Sequence, residues 1–205
     1  GPAVARARTR SRNPGANRAG WGALAGGGCT GPPGGAGAGA PPPGAGAPTA
    51  AAVCPTGWGS LPKTAADADN GSLTDIRTGQ HDCYDRMVLD VPTAGTTPIG
   101  YTVHYVDAFI QDPSGIRIPV SGGAILEILV SAPSYDPETY TETYPGRGGR
   151  PLPGVDLTGY RTFRDTKFGA SFEGVTQVGL GVRARLPFRV TQLSGRLVID
   201  VAHTW

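Results

Sequence analysis

Chemistry could first be assembled between His81 and Asp85. His81, Asp82 and Asp85 fall within five positions, close enough for a metal or for an acid paired with a base. Zinc asks for three such ligands with a position left open, and a catalytic base needs a neighbour that tunes it. The same residue types suit a hairpin turn, where Asp and His bond their own backbone. The turn is the simpler reading, so no metal or cofactor is assigned. A hydrolytic triad can be written from Ser171, His104 or His203, and Asp107. No Gly-x-Ser-x-Gly elbow accompanies it, and the three histidines fall in strand or turn sequence. Cys83 is no nucleophile if it is bridged to Cys54. No catalytic residue is assigned, and a hydrolase stands as the alternative.

The stretch from Tyr135 to Arg150 holds the candidate binding residues. Tyr135, Tyr140 and Tyr144 offer flat faces for sugars, and Arg147 and Arg150 offer bidentate donors for carboxylates such as those of peptide stems. They sit in a connection, residues 132–159, longer than the roughly 12–15 residues beyond which loops are uncommon unless functional or disordered. The competing reading is an exposed insertion whose tyrosines cover a sandwich edge.

Composition separates the chain into two parts. Residues 1–53 hold five arginines, no lysine and no acid, and then run in Gly, Ala and Pro. Removing those five from 18 basic residues leaves 13 against 16 acidic ones, so residues 54–205 carry a formal charge of −3. That balance argues against a nucleic-acid surface. Arginines, then Trp21 to Gly28, then Cys29 read like an export start whose cysteine a lipoprotein signal would lipidate. The plainer reading is a disordered basic tail with an idle cysteine. From Thr30 to Val53 no charge and little apolar mass occur, so burial cannot offset ordering entropy and a flexible tether is expected. No run of 18 apolar residues exists that would cross a membrane as a helix.

Strand signals fill residues 54–205. Cys54-Pro55-Thr56-Gly57-Trp58-Gly59 opens as an irregular arm that something must hold down. Cys83, at the head of the strongest strand, is the expected disulfide partner of Cys54; two buried free thiols are the alternative. Leu73–Thr78 and Tyr84–Val91 read as a hairpin, with Met87, Leu89 and Val91 on one face. Tyr101–Val106 is a strand. Ile116–Val120 and Ala124–Val130 flank Ser121-Gly122-Gly123, a second hairpin signal. Tyr160–Arg164, a glycine-marked and bulged Phe172–Val182, Pro187–Leu193 and Leu197–His203 follow. Arg-x-Val-x-Asp-Val occurs at Arg86–Val91 and again at Arg196–Val201, which marks related elements of one body; Asp85, Arg86, Asp90, Arg196 and Asp200 are expected to pair across strands. The fold class is therefore all-β: a single β-sandwich or partial barrel of about eight to nine strands behind a disordered tail.

Five blocks in order carry a resemblance: His81–Asp90, Gly100–Val106, Phe172–Val175, Arg185–Val190 and Arg196–His203. Together they are similar to the AMIN-like domain of actinobacterial envelope proteins, over essentially all of residues 54–205. The resemblance implies an exported, often lipid-anchored protein, secreted or held on the outer face of the cytoplasmic membrane, and a distant relation to the AMIN domain. That domain is a non-catalytic module that targets amidases and secretin-type proteins to peptidoglycan or the septal wall. The expected partner is thus cell-wall glycan or peptide, or an envelope protein, with docking through an edge strand as a further alternative.

Overall fold

The computed structural model describes residues 53–66 and 71–205, so the tail expected over residues 1–53, Val53 apart, lies outside the described residues, and Cys29 with it. The strands are β1 (Lys63–Ala65), β2 (Asp75–Gln80), β3 (Tyr84–Asp90), β4 (Tyr101–Val106), β5 (Phe109–Ile110), β6 (Arg117–Ile118), β7 (Ala124–Val130), β8 (Phe163–Phe172), β9 (Val175–Val182), β10 (Phe188–Leu193) and β11 (Arg196–Ala202). One sheet runs β1-β4-β7-β9-β8, a second β10-β11-β3-β2, and β5 and β6 form a small ribbon. β1 and β5 account for the excess over the expected number; pieces of two and three residues leave too short an alternation to read.

Alternation sets which faces meet. Met87 and Leu89 on β3, Leu197, Ile199 and Val201 on β11, and Ile76 on β2 turn inward. Leu126, Ile128 and Val130 on β7 and Val178, Leu180 and Val182 on β9 meet them from the other sheet. One core results, dominated by apolar side chains.

The repeated Arg-x-Val-x-Asp motif explains the register at the centre of the second sheet. β3 and β11 pair antiparallel with Val88 opposite Val198, which sets Arg86 opposite Asp200 and Arg196 opposite Asp90. Both pairs close as ion pairs, at 2.6 Å and 3.2 Å. A slip by one residue would break both and turn the core face outward. Asp85 departs from the expectation of cross-strand pairing. It points into the sandwich, 1% exposed, and its Oδ2 accepts the N–H groups of Thr162 (2.6 Å) and Phe163 (3.0 Å).

Two expected elements differ. Ile116–Val120 does not pair with β7; β6 pairs with β5, while β7 lies between β4 and β9. The glycines after Ser121 serve a close backbone approach instead of a hairpin. The Gly123 N–H bonds Val182 O at 2.8 Å, and a Cβ on Gly123 would stand 2.1 Å from the carbonyl oxygen of Arg183. Phe172–Val182 is not one bulged strand either. Glu173 and Gly174 both take positive φ (48° and 79°), a two-residue turn that ends β8 and starts β9. The irregularities lie in β8, at Phe163/Asp165 and Phe168/Ser171.

Candidate functional site

The sandwich has two ends with aromatic and arginine side chains. The loop end contains the expected site. Tyr135 bridges to Glu142, and Asp136 folds the residues between: its Oδ1 accepts the N–H of Glu138 (2.8 Å) and Thr139 (3.0 Å), and its carbonyl accepts the N–H of Tyr140 (2.7 Å). Those bonds hold the Asp136 carboxyl below its ordinary value, the Thr139 N–H foremost. They also hold Tyr140 at φ 55°, a left-handed conformation that costs a residue with a Cβ about 1–2 kcal/mol. The Tyr140 ring stacks against Tyr135 with centroids 6.1 Å apart and stays 80% exposed.

Arg147 joins this group by an ion pair to Glu142. Arg150 is exposed, and its carbonyl accepts the N–H of Phe168 on β8 (2.9 Å). Tyr144 does not belong to the surface. It is 2% exposed, tilted against Phe168 with centroids 6.1 Å apart, and its hydroxyl has no partner. Burial pushes that hydroxyl's pKa well up. Residue type alone marked Tyr144 as a binding ring; the bond from its N–H to Ser134 O turns that turn of chain inward.

At the arm end the sequence reading reached the arm and its Cys54–Cys83 bridge, and the structure bears the bridge out and adds the rest. Cys54 and Cys83 form a disulfide with Cα atoms 5.3 Å apart, and Gly59 O accepts the N–H of Phe188 at the start of β10 (2.9 Å). These two anchors lay the arm over the outer face of the second sheet. There Trp58 sits 5.6 Å from the ring of Tyr84, and Arg189 lies over Trp58 at 4.4 Å. Asp200, with no exposed surface, accepts from Arg86 Nε (2.6 Å), Arg86 Nη2 (2.9 Å) and Arg189 Nε (2.8 Å). Its hydrogen bonds raise the Arg86 guanidinium further above its ordinary value, against the desolvation that lowers it. Ala202, on the same face as Asp200 and opposite Tyr84, is small enough to leave a floor. Above it a groove of about 340 Å³ runs between the arm, Pro187 and Trp205. The clue available in sequence was Gly57-Trp58-Gly59, a large ring between two flexible residues next to a cysteine.

The chemical constellations written from sequence come apart. His81 is exposed and stacks on Tyr84 at 4.6 Å, while Asp85 faces inward. Among the described residues no three His, Cys, Asp or Glu side chains gather as metal ligands would. Ser171 Oγ accepts the N–H of Ser134 (2.9 Å), His104 faces Glu127 (3.2 Å), and His203 lies against Thr162 Oγ1 (2.9 Å) and the carbonyl of His81 (2.9 Å). Asp107 lines a separate hollow with Tyr105 and Arg185. No hydrogen bond among the described residues joins the serine to a histidine.

These features define a disulfide-tied, two-sheet β module with aromatic rings displayed at both ends. The family model of the AMIN-like domain matches residues 71–203, well over half of the chain, and the chain belongs to the AMIN-like domain family. That family suggests a cell-wall-associated, non-catalytic module of the envelope, and the disulfide fits an extracytoplasmic protein. No curated protein and no solved structure matches the chain. Among the described residues no helix is long and apolar enough to cross a membrane.

Proposed function

We propose that this chain is a non-catalytic module that docks on the cell wall, binding its glycan or peptide through the loop end. One observation carries the reading: Tyr140 is kept in a strained backbone conformation with its ring displayed to solvent beside Tyr135. Strain of this kind persists where the surroundings enforce it, and it clusters at binding and catalytic positions. Paired rings supply stacking area for sugar faces at low entropic cost. Arg147, half neutralised by Glu142, and the exposed Arg150 supply guanidinium forks for carboxylates. Family membership supports an envelope location, and export with anchoring through Cys29 completes the proposal.

The test is co-sedimentation of the protein with purified insoluble cell wall. Tyr135→Ala with Tyr140→Ala is expected to release most of the bound fraction, and Arg150→Ala part of it. Unchanged pelleting of the double variant would remove the loop end from the binding surface. Absence of pelleting by the unaltered protein would remove wall binding itself.

A further inference from the structure

We propose that the groove between Trp58 and Trp205, with Arg189 beside it, is a second and independent ligand site, and that it takes an acidic sugar unit: a ring with a flat apolar face and a free carboxylate. Its walls are rings and small residues. Trp58, Trp205, Pro55 and Pro187 line it, together with Gly57, Gly59 and the Cys54–Cys83 bridge. Its volume, about 340 Å³, falls at the lower end of the roughly 300–1,000 Å³ of small-ligand clefts, large enough for one ring and too small for a folded partner.

Trp205 is 75% exposed and forms one wall of the groove, a broad apolar face open to a ligand. No ring of the described residues stacks on it within the aromatic pairs the structure forms, whereas Trp58 is paired with Tyr84. A pyranose face is a fitting cover, because its C–H side is apolar and its edge is polar.

The carboxylate follows from charge. Arg189 and Arg86 share the single carboxylate of Asp200, so two positive charges are balanced by one negative charge. Arg189 uses only Nε in that pair. Among the described residues its Nη1 and Nη2 take no partner, and they form the outer edge of a planar fork that matches a carboxylate bidentately. The fork is already fixed. Asp200 is fully buried, and the Arg189 guanidinium carbon lies against the rings of both Trp58 (4.4 Å) and Tyr84 (5.4 Å). Little side-chain entropy remains to be lost when a ligand arrives. Trp58 lines the groove and carries the Arg189 guanidinium against its ring, which sets the fork next to the groove.

This site lies at the opposite end of the second sheet from Tyr135. Tyr135 O accepts from Ser72, just before β2, whereas Tyr84 and Ala202 pair where β3 begins and β11 ends. Either site can therefore fail without the other.

The experiment is a titration of the full chain with soluble disaccharides released from purified peptidoglycan and cleaved from their peptide stems, which frees the carboxylate on the sugar, read by tryptophan fluorescence and by calorimetry. A parallel titration uses the same fragments with their carboxyls amidated. Saturable binding is expected, weakened about tenfold or more by Trp205→Ala, by Arg189→Gln and by amidation, since one lost charge-assisted fork corresponds to at least that factor. Trp205→Ala removes an exposed ring and leaves the fold intact, which guards against an unfolded Arg189→Gln. Tyr135→Ala with Tyr140→Ala is expected to remove the loop end's share of the heat and to leave the fluorescence response, which reports the groove through Trp58 and Trp205, unchanged. Equal affinity of Trp205→Ala and the unaltered chain would overturn the site and leave wall docking at the loop end standing. Equal affinity for amidated fragments would overturn the carboxylate assignment. Binding lost only in the Tyr135/Tyr140 variant would place the ligand at the loop end and sink this inference.

Discussion

At the loop end Tyr140 is held out by local hydrogen bonds from Asp136 that keep its backbone in the left-handed region. At the arm end Trp58 is held by a covalent bond between Cys54 and Cys83 and by contacts with residues far off in the chain, Tyr84 and Arg189. The first device is made by neighbours in sequence and the second by residues that only folding brings together. A local device should fail locally, by pH or by a backbone change, and leave the sandwich whole. A long-range one should fail with the global stability of the fold.

The largest expected contrast comes from the disulfide. Cys54→Ser with Cys83→Ser opens a loop of 29 residues and should cost about 3–4 kcal/mol on the chain-entropy account, measured by urea unfolding, while the stacking of Tyr135 on Tyr140 persists. Loss below 1 kcal/mol would mean that Gly59 and Trp58 hold the arm unaided.

Next come the two halves of the repeated motif. Asp200→Asn strips charge from a fully buried carboxylate with two guanidiniums and should cost about 2 kcal/mol. Asp90→Asn also touches two arginines, Arg77 and Arg196, but these are about half exposed (49% and 54%). It should cost less than about 1 kcal/mol. Equal costs would show that burial does not distinguish the halves.

Tyr144→Phe removes a buried hydroxyl that has no partner. Thermal unfolding should show a gain of about 1 kcal/mol, and a loss would reveal a bond to the Tyr144 hydroxyl. The smallest effect is a pH response confined to the loop end. The Asp136 carboxyl is held below its ordinary value of 3.8 by the N–H groups of Thr139 and Glu138. A depressed folded-state pKa means that its contribution is present above 3.8 and is lost as pH falls through the lower folded value. Amide chemical shifts of Glu138 and Thr139 should move in that acid window while those of the arm, Gly57 to Gly59, stay still. Parallel movement of both would erase the distinction between the ends.

Much of the frame was legible because alternation over six or seven residues is hard to misread: β3, β4 and β11 fall where their patterns place them, while β7, an apolar run that by propensity also suits a helix, reads as strand through its length and β-branched content between turn residues. The Arg-x-Val-x-Asp repeat even held the register, although its meaning appears only once the two strands lie side by side. The Glu173-Gly174 turn was hidden because glutamate at positive φ is rare enough that Gly174 alone reads as a bulge. At the loop end, residue type marked Tyr135, Tyr140 and Tyr144 alike, and only packing shows that the first two stack on each other while Tyr144 turns in against Phe168. At the arm end the disulfide was legible and the groove was not. Arg189 reaches Trp58, and Trp58 and Trp205 line one groove, only when the arm lies over the paired strands, and no spacing along the chain records that.

The staple also decides how the domain would bear a pull. Tension arriving along the backbone from before residue 53 enters at Cys54 and crosses at once to Cys83, beside a strand bonded on both edges, to β2 and to β11. Load is then spread in shear over two ladders instead of unzipping the arm bond by bond. A pull from the N-terminal side would leave the Trp58 groove in place, and reduction of the sulfurs would remove that mechanical resistance.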